Sequence, residues 1–317
     1  MTLASTAAQF PAETAAGGTF VRQKIAFQDR ITADGSSGFK AEPGRYHLYV
    51  SLACPWAHRA IIVRKLKRLE AVITLSVVDP IRDGRGWAFR DGPGHTRDPV
   101  NGFAFLREAY LATDPNYVGR HTVPAVWDRV TQRIVTNDYH TITLQLETEF
   151  EAFADTSVDL YPRHLRAEID RLNAEVYERV NNGVYKAGSA SSQAAYDEAF
   201  EALFAELDAL DRRLARQRYL VGRHLTDADI RLFTTLVRFD TVYHTHFKCN
   251  LRRLVDYEHL WAYTRDLYQR PGFGETVNFE HIKRHYYCTH DKLNPSRIVP
   301  KGPAVDWLAP HGREHLG

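Results

Sequence analysis

In the first half of the chain, short apolar runs alternate with helical stripes. Tyr46–Ser51 reads as a strand, and 73–78 reads as a second one, rich in β-branched side chains. Between them Ile62, Leu66 and Leu69 recur at i, i+4 and i+7, which predicts a helix over 55–69. A polar stretch rich in Gly, Asp and Arg fills 80–101, and loops of that length in compact domains are often functional. A short helix over 103–111 follows, then a hairpin from 123–128 and 133–135, then a helix starting near Asn137 or Asp138. The β-α-β…β-β-α order matches an α/β, thioredoxin-like domain.

After Phe150 the strand signals stop. Leu165, Ile169, Leu172, Val176 and Val180 recur at helical spacing, and Tyr196 to Leu214 carries a longer stripe that suits a helix buried in a bundle. Thr226-Asp227-Ala228-Asp229 reads as a capping box. Further helical patterns run through 230–242 and 257–268, whereas the chain from Pro271 onward, rich in His, Tyr, Pro and Gly, is expected to be irregular. These patterns divide the chain into an N-terminal extension over 1–43, a thioredoxin-like domain over 44–150 and an all-α domain with an irregular tail over 151–317. About the first fifteen to twenty residues, rich in Ala, Thr and Gly, are expected to be flexible.

Composition narrows the class. The 317 residues carry 41 basic and 39 acidic side chains, and that balance gives no reason to expect a nucleic-acid or anionic-membrane partner. There is no basic segment before an apolar one to form a signal peptide, and no apolar run of bilayer length. The three cysteines, Cys54, Cys249 and Cys288, are too scattered for a disulfide framework and suit a reducing cytoplasm.

Cys54 lies where the first strand gives way to a helix, with Pro55 at the first helical position. Unpaired N–H groups and the helix dipole favour negative charge there, so the thiol is expected to react as thiolate. Ala57 stands where a two-cysteine redox motif has its second thiol, so Cys54 must be resolved by a thiol from outside the chain. Val123-Pro124 reads either as a cis-proline facing the cysteine or as a trans proline at a strand start. Trp87, in the long loop, either covers a small ligand or packs the loop. Tyr185, between Gly183 and Gly188, sits at an expected sharp turn, either as a proton donor to a phenolic substrate or as a structural tyrosine. His281, His285, Cys288 and His290 match no common zinc spacing, and a pocket wall of aromatic and imidazole groups is the preferred reading. Neither a Gly-x-Ser-x-Gly elbow nor a phosphate-binding Gly-rich loop is present. Cys249 reads as a buried, unreactive thiol.

Several long motifs carry a family resemblance: Tyr49-Val50-Ser51-Leu52-Ala53-Cys54-Pro55-Trp56-Ala57-His58-Arg59, Asn181-Asn182-Gly183-Val184-Tyr185-Lys186-Ala187-Gly188, Leu236-Val237-Arg238-Phe239-Asp240, Thr245-His246-Phe247-Lys248-Cys249, Glu275-Thr276-Val277-Asn278-Phe279 and Asn294-Pro295. Over about Gly44 to Gly312 the chain resembles the glutathionyl-hydroquinone reductases, the Xi class of the glutathione transferase superfamily. The resemblance implies a glutathione transferase-like architecture in a cytoplasmic homodimer, with glutathione as co-substrate and no metal. It implies that Cys54 attacks the sulfur of a glutathionyl-hydroquinone and that a second glutathione resolves the mixed disulfide. It also implies that Trp87, Arg120, Val123 and Pro124 hold the thiol and that Tyr185 and Tyr286 bind the hydroquinone or supply its proton.

The chain departs from the family at Asn137-Asp138-Tyr139, where Asn-Glu-Ser is usual and the acid and serine bind the γ-glutamyl group. Either Asp138 still takes the amine, or the bulk of Tyr139 selects another thiol, such as mycothiol or γ-glutamylcysteine. The competing functions are a general thioltransferase or dehydroascorbate reductase-like enzyme and, least favoured, a non-enzymatic binding protein.

Overall fold

The computed structural model describes residues 10–316. The chain divides into two compact units: Lys24–Tyr161 with Glu275–His285, and Pro162–Gly274 with the described residues up to Gln23 and the chain from Tyr286 on.

The first unit is built on a four-stranded sheet of order β2-β1-β3-β4: β1 Tyr46–Val50, β2 Thr74–Val77, β3 Ala125–Asp128 and β4 Arg133–Thr136. β1 runs parallel to β2 and antiparallel to β3, and β3 is antiparallel to β4. Every residue of β1 is buried, because layers cover both faces of the strand. Helix α1 (Pro55–Leu66) packs on α3 (Ile142–Thr148), and α2 (Leu106–Thr113) packs on β4. One polar pair of positions on β1 is satisfied internally. The His47 ring sits between the Thr74 and Ser76 hydroxyls at 2.6 and 2.9 Å, and burial lowers its pKa to about 3, which keeps it neutral. The Tyr49 hydroxyl donates to Asp98 at 3.1 Å.

Asp98 organises the long polar loop, accepting N–H bonds from Val100, Asn101 and Phe103. A buried carboxylate with donors converging on it fixes a segment that lacks an apolar face. Helix α3 begins at Ile142, later than the expected start near Asn137. The Asn137 N–H and the Thr136 hydroxyl both donate to the Phe27 carbonyl, so the N-terminal arm draws these residues into an extension of the sheet.

The second unit is helical: α4 Arg166–Val176, α5 Gly183–Gly188, α6 Gln193–Leu214, α7 Asp227–Leu236 and α8 Glu258–Gln269, with π-helical turns at Tyr177–Asn181 and Phe239–Tyr243. Helix α9 (Phe279–Thr289) gives residues up to His285 to the first unit and residues from Tyr286 to the second. It interrupts the stretch expected to be irregular after Pro271, and the described chain from His290 onward is irregular apart from one 3-10 turn at Glu314–Leu316. Ile282 and Tyr286 repeat at helical spacing, with His281 and His285 buried beside them, so the helical face is made of rings that a count of aliphatic residues passes over. The expected flexible N-terminus is also ordered where described. Phe20 and Glu13 are buried, and the Gly17 carbonyl accepts from the Ser192 hydroxyl. Residues 1–9 of that expected segment lie outside the described ones.

The capping box at α7 is present, with Thr226 as N-cap and Asp229 reaching back to its N–H. Asp229 is fully buried and also accepts from the Leu220 N–H and the Tyr263 hydroxyl, each at 2.8 Å. Asp229→Ala would strand these donors in the core. It should lower the unfolding free energy measured by urea titration by about 3 kcal/mol or more. A loss below about 1 kcal/mol would show that the network is dispensable.

Candidate functional site

β1 is paired on both sides, so its C-terminal end is fixed, and the chain leaves it through Ser51 into α1. Cys54 is the N-cap of α1, with extended backbone (φ −78°, ψ 120°) and Pro55 as the first helical residue. Its carbonyl accepts the first helical bond, from the His58 N–H at 3.0 Å. The sulfur lies 3.5 Å from the Val123 carbonyl, to which the thiol donates, and the Val123–Pro124 peptide is cis. Cys54 is partly exposed, and none of the three cysteines is in a disulfide. A helix start beside a partly exposed sulfur favours negative charge there. Cys249, in contrast, is fully buried, and its thiol pKa is driven far up by burial.

Tyr139 lies against the same helix start. Its ring packs on Trp56 with centroids 4.7 Å apart. The carboxylate of Asp138 is held within its own turn, accepting from the His140 N–H at 3.0 Å and the Thr141 hydroxyl at 3.1 Å. Arg120 is half-buried at the end of the preceding loop, where its carbonyl accepts from the Tyr117 hydroxyl at 2.9 Å.

Trp87 is buried, not exposed, and stacks on His285 at 4.8 Å and 25°. The long loop thus packs along α9. The His285 Nδ1 meets the Pro80 carbonyl at 2.9 Å, and the His281 Nε2 meets the Pro93 carbonyl at 2.7 Å. Burial lowers the His281 pKa, so that ring donates a single proton to its carbonyl without carrying charge. The four residues with metal-ligand chemistry in this segment turn to separate partners: His290 to His246 at 3.1 Å and Cys288 to the Arg297 carbonyl. No group of three or more His, Cys, Asp or Glu able to hold a metal occurs among the described residues.

In the helical unit, Tyr185 lies within α5 and not at a sharp turn, because the π-helical turn before it leads directly into the helix. Gly188 serves close packing instead, since a Cβ there would overlap the Phe247 ring. The Tyr185 and Tyr286 hydroxyls lie 2.5 Å apart. The Tyr243 hydroxyl completes the chain at 3.1 Å from that of Tyr286. Burial first, and then the neighbouring phenols, hold the Tyr286 and Tyr243 hydroxyls far above the ordinary tyrosine range, so both keep their protons at neutral pH. Three hydroxyls in one chain can store a proton and pass it along.

The structure therefore brings Cys54, Val123 and Pro124 together, Trp56 with Tyr139, and Tyr185 with Tyr286. Cys54 and the tyrosines belong to different compact units. Sequence reasoning missed Tyr243, and it named His285 without its contact to Trp87. Tyr243 sat inside a stripe read only as helix, and His285 inside a cluster read as a wall of aromatic and imidazole groups.

The Glutathione S-transferase N-terminal domain family matches residues 53–149, and the Glutathione S-transferase C-terminal domain family matches residues 193–266. The chain is 51% identical to the Glutathionyl-hydroquinone reductase YqjG of Escherichia coli, covering 94% of this chain and 93% of that protein. It is 48% identical to the Glutathionyl-hydroquinone reductase PcpF of Sphingobium chlorophenolicum, covering 91% of each. The solved glutathione-bound structure of YqjG from Escherichia coli superposes with a TM-score of 0.89 at 51% identity, covering 91% of this chain and 96% of that one.

The Gly188–Phe247 packing makes a direct test of the tyrosine region. Gly188→Ala should lower stability by about 1–3 kcal/mol in thermal or urea unfolding, because the ring must shift to admit a methyl group. An unchanged midpoint would mean that the ring yields freely.

Proposed function

The chain belongs to the glutathionyl-hydroquinone reductase family, the Xi class of glutathione transferases, and we propose that it is a glutathione-dependent reductase that removes glutathione from glutathionyl-hydroquinones. The observation that carries the reading is a lone, partly exposed cysteine at a helix N-cap, facing the backbone of Val123. Without a second cysteine beside it, the sulfur can complete a redox cycle only with an outside thiol.

The Cys54 thiolate attacks the glutathionyl sulfur, and the bond from that sulfur to the ring carbon breaks. The electron pair goes to the ring carbon, which takes a proton, and hydroquinone leaves. Cys54 is left in a mixed disulfide with glutathione. A second glutathione thiolate attacks this disulfide, releasing oxidised glutathione and the Cys54 thiolate. The ring carbon is reduced, and two thiol-level sulfurs are oxidised to one disulfide. Tyr185 and Tyr286 are the residues we assign to the ring and its proton, since a general acid must reach that carbon as the pair arrives. Trp87, Arg120, Val123, Pro124, Asp138 and Tyr139 are assigned to the thiol. The thiol-binding domain spans 44–150 and the helical domain 151–317, and the enzyme works as a cytoplasmic homodimer without a metal. Among the described residues no helix is long and apolar enough to cross a membrane.

A second reading keeps the reaction and changes the thiol to mycothiol or γ-glutamylcysteine. It is favoured by the Tyr139 ring packed on Trp56 and by the Asp138 carboxylate engaged within its own turn. Hydroquinone release should be measured with each thiol in wild type and in Tyr139→Ser. If Tyr139 restricts the thiol site, the serine variant gains about tenfold or more in kcat/KM for glutathione. Saturation of wild type by micromolar glutathione, with no gain in the variant, would sink the second reading. Tyr185→Phe and Tyr286→Phe should each lower hydroquinone release by about 100-fold. Their exchange with a small model disulfide should be unchanged. Equal losses in both assays would favour a general thioltransferase.

A further inference from the structure

Three phenols share one hydrogen-bonded chain, yet they are not equivalent, because a cation lies directly over one of them. The guanidinium carbon of Arg22 sits 4.4 Å from the centroid of the Tyr185 ring. Arg22 Nε donates to the Asn182 side-chain oxygen at 2.7 Å. Asn182 is buried and stands at the start of α5, where its carbonyl accepts from the N–H groups of Tyr185 and Lys186 at 3.0 and 2.9 Å. One side chain therefore holds both the ring of Tyr185 and the helix start that carries it.

Arg22 is itself fixed. Its neighbours Val21 and Gln23 donate their N–H groups to the carbonyl and the carboxylate of the buried Glu13, at 2.7 and 3.1 Å. Phe20, two per cent exposed, anchors the arm below it. A guanidinium held over an aromatic face is attracted to the ring's electron density. It stabilises negative charge on the phenol oxygen more than it stabilises the neutral ring, so it makes that phenol the stronger acid.

We propose that Arg22 is a positioning residue for Tyr185: it fixes the ring and selects Tyr185, among the three linked phenols, as the one that releases its proton. This rests on the reductase reading for its kinetic consequence but not for its effect on Tyr185. When Tyr185 gives up its proton, the short bond to Tyr286 lets the neighbouring hydroxyl donate to the new oxyanion, and Tyr243 donates in turn to Tyr286. The other groups around the chain differ in kind. Arg238 acts on Tyr243 and Tyr286 through space. His246 and His290 lie edge-on to Tyr286, and burial, with Lys248 adding, lowers the His246 pKa to about 4, so that ring is neutral. Lys186, beside Tyr185 in sequence, is paired with Glu178.

The test uses the full chain with Arg22→Gln and Arg22→Lys, and Tyr185→Phe as reference. In the first assay, kcat for hydroquinone release from a glutathionyl-hydroquinone is followed against pH. Arg22→Gln should lower kcat by about tenfold or more with little change in KM. It should also move the alkaline limb upward by about one pH unit, since a weaker acid keeps its proton longer. Arg22→Lys keeps the charge and should recover most of both. In the second assay, which needs no turnover, tyrosinate formation is followed by ultraviolet difference titration. The ionisation that is lost in Tyr185→Phe should titrate higher in Arg22→Gln. If wild type releases no hydroquinone, the reductase reading fails, while the titration still decides the role of Arg22. An Arg22→Gln profile and titration identical to wild type would overturn the proposal. Equal losses in the Gln and Lys variants without a shifted limb would also overturn it, because they would mean packing alone.

Discussion

The position of Cys54, partly exposed at the end of a buried strand, is set by one element, β1. β1 is hydrogen-bonded on both edges and covered on both faces, so its end is as fixed as any point in that unit. The chain leaves the strand in extended conformation at Cys54 and enters α1 at a proline that needs no N–H there. The thiol is thus placed at the positive end of a helix, opposite the Val123 carbonyl.

The polar interior follows the same logic at greater cost. The long loop has no apolar stripe, so it is held by a buried carboxylate, Asp98, and by rings on α9. Histidine suits that task because a neutral imidazole offers both an apolar face and a donor. His285 uses both: its face stacks on Trp87 while its nitrogen meets the Pro80 carbonyl. In the helical unit the buried phenols satisfy one another, which removes the penalty of isolated hydroxyls and leaves their protons in a connected chain.

Much of this was legible in the sequence, and the failures have physical causes. The strand run, Cys54-Pro55 and the stripe after it located the strand–helix junction that carries Cys54, because period and punctuation are local signals. The cis alternative for Val123-Pro124 was open from the sequence and is the one observed. The capping box at Thr226 was read correctly for the same local reason. Helix α9 was missed because its buried face is made of His and Tyr, which composition classes as polar. The start of α3 was misplaced because Asn137 serves a bond to the Phe27 carbonyl, a contact over a long sequence separation that no window contains. Trp87 shows the same limit: a tryptophan in a glycine-rich loop gives no hint that a histidine far along the chain covers its face.

In the proposed cycle Cys54 takes the thiol from the conjugate and holds it until another thiol arrives. Intact-protein mass spectrometry after mixing reduced enzyme with one equivalent of a glutathionyl-hydroquinone, and no other thiol, tests this most directly. One glutathione should appear on Cys54 with one equivalent of free hydroquinone, and the adduct should be lost when a second thiol is added. Hydroquinone released with Cys54 unmodified, or an adduct carrying the aromatic ring, would contradict it.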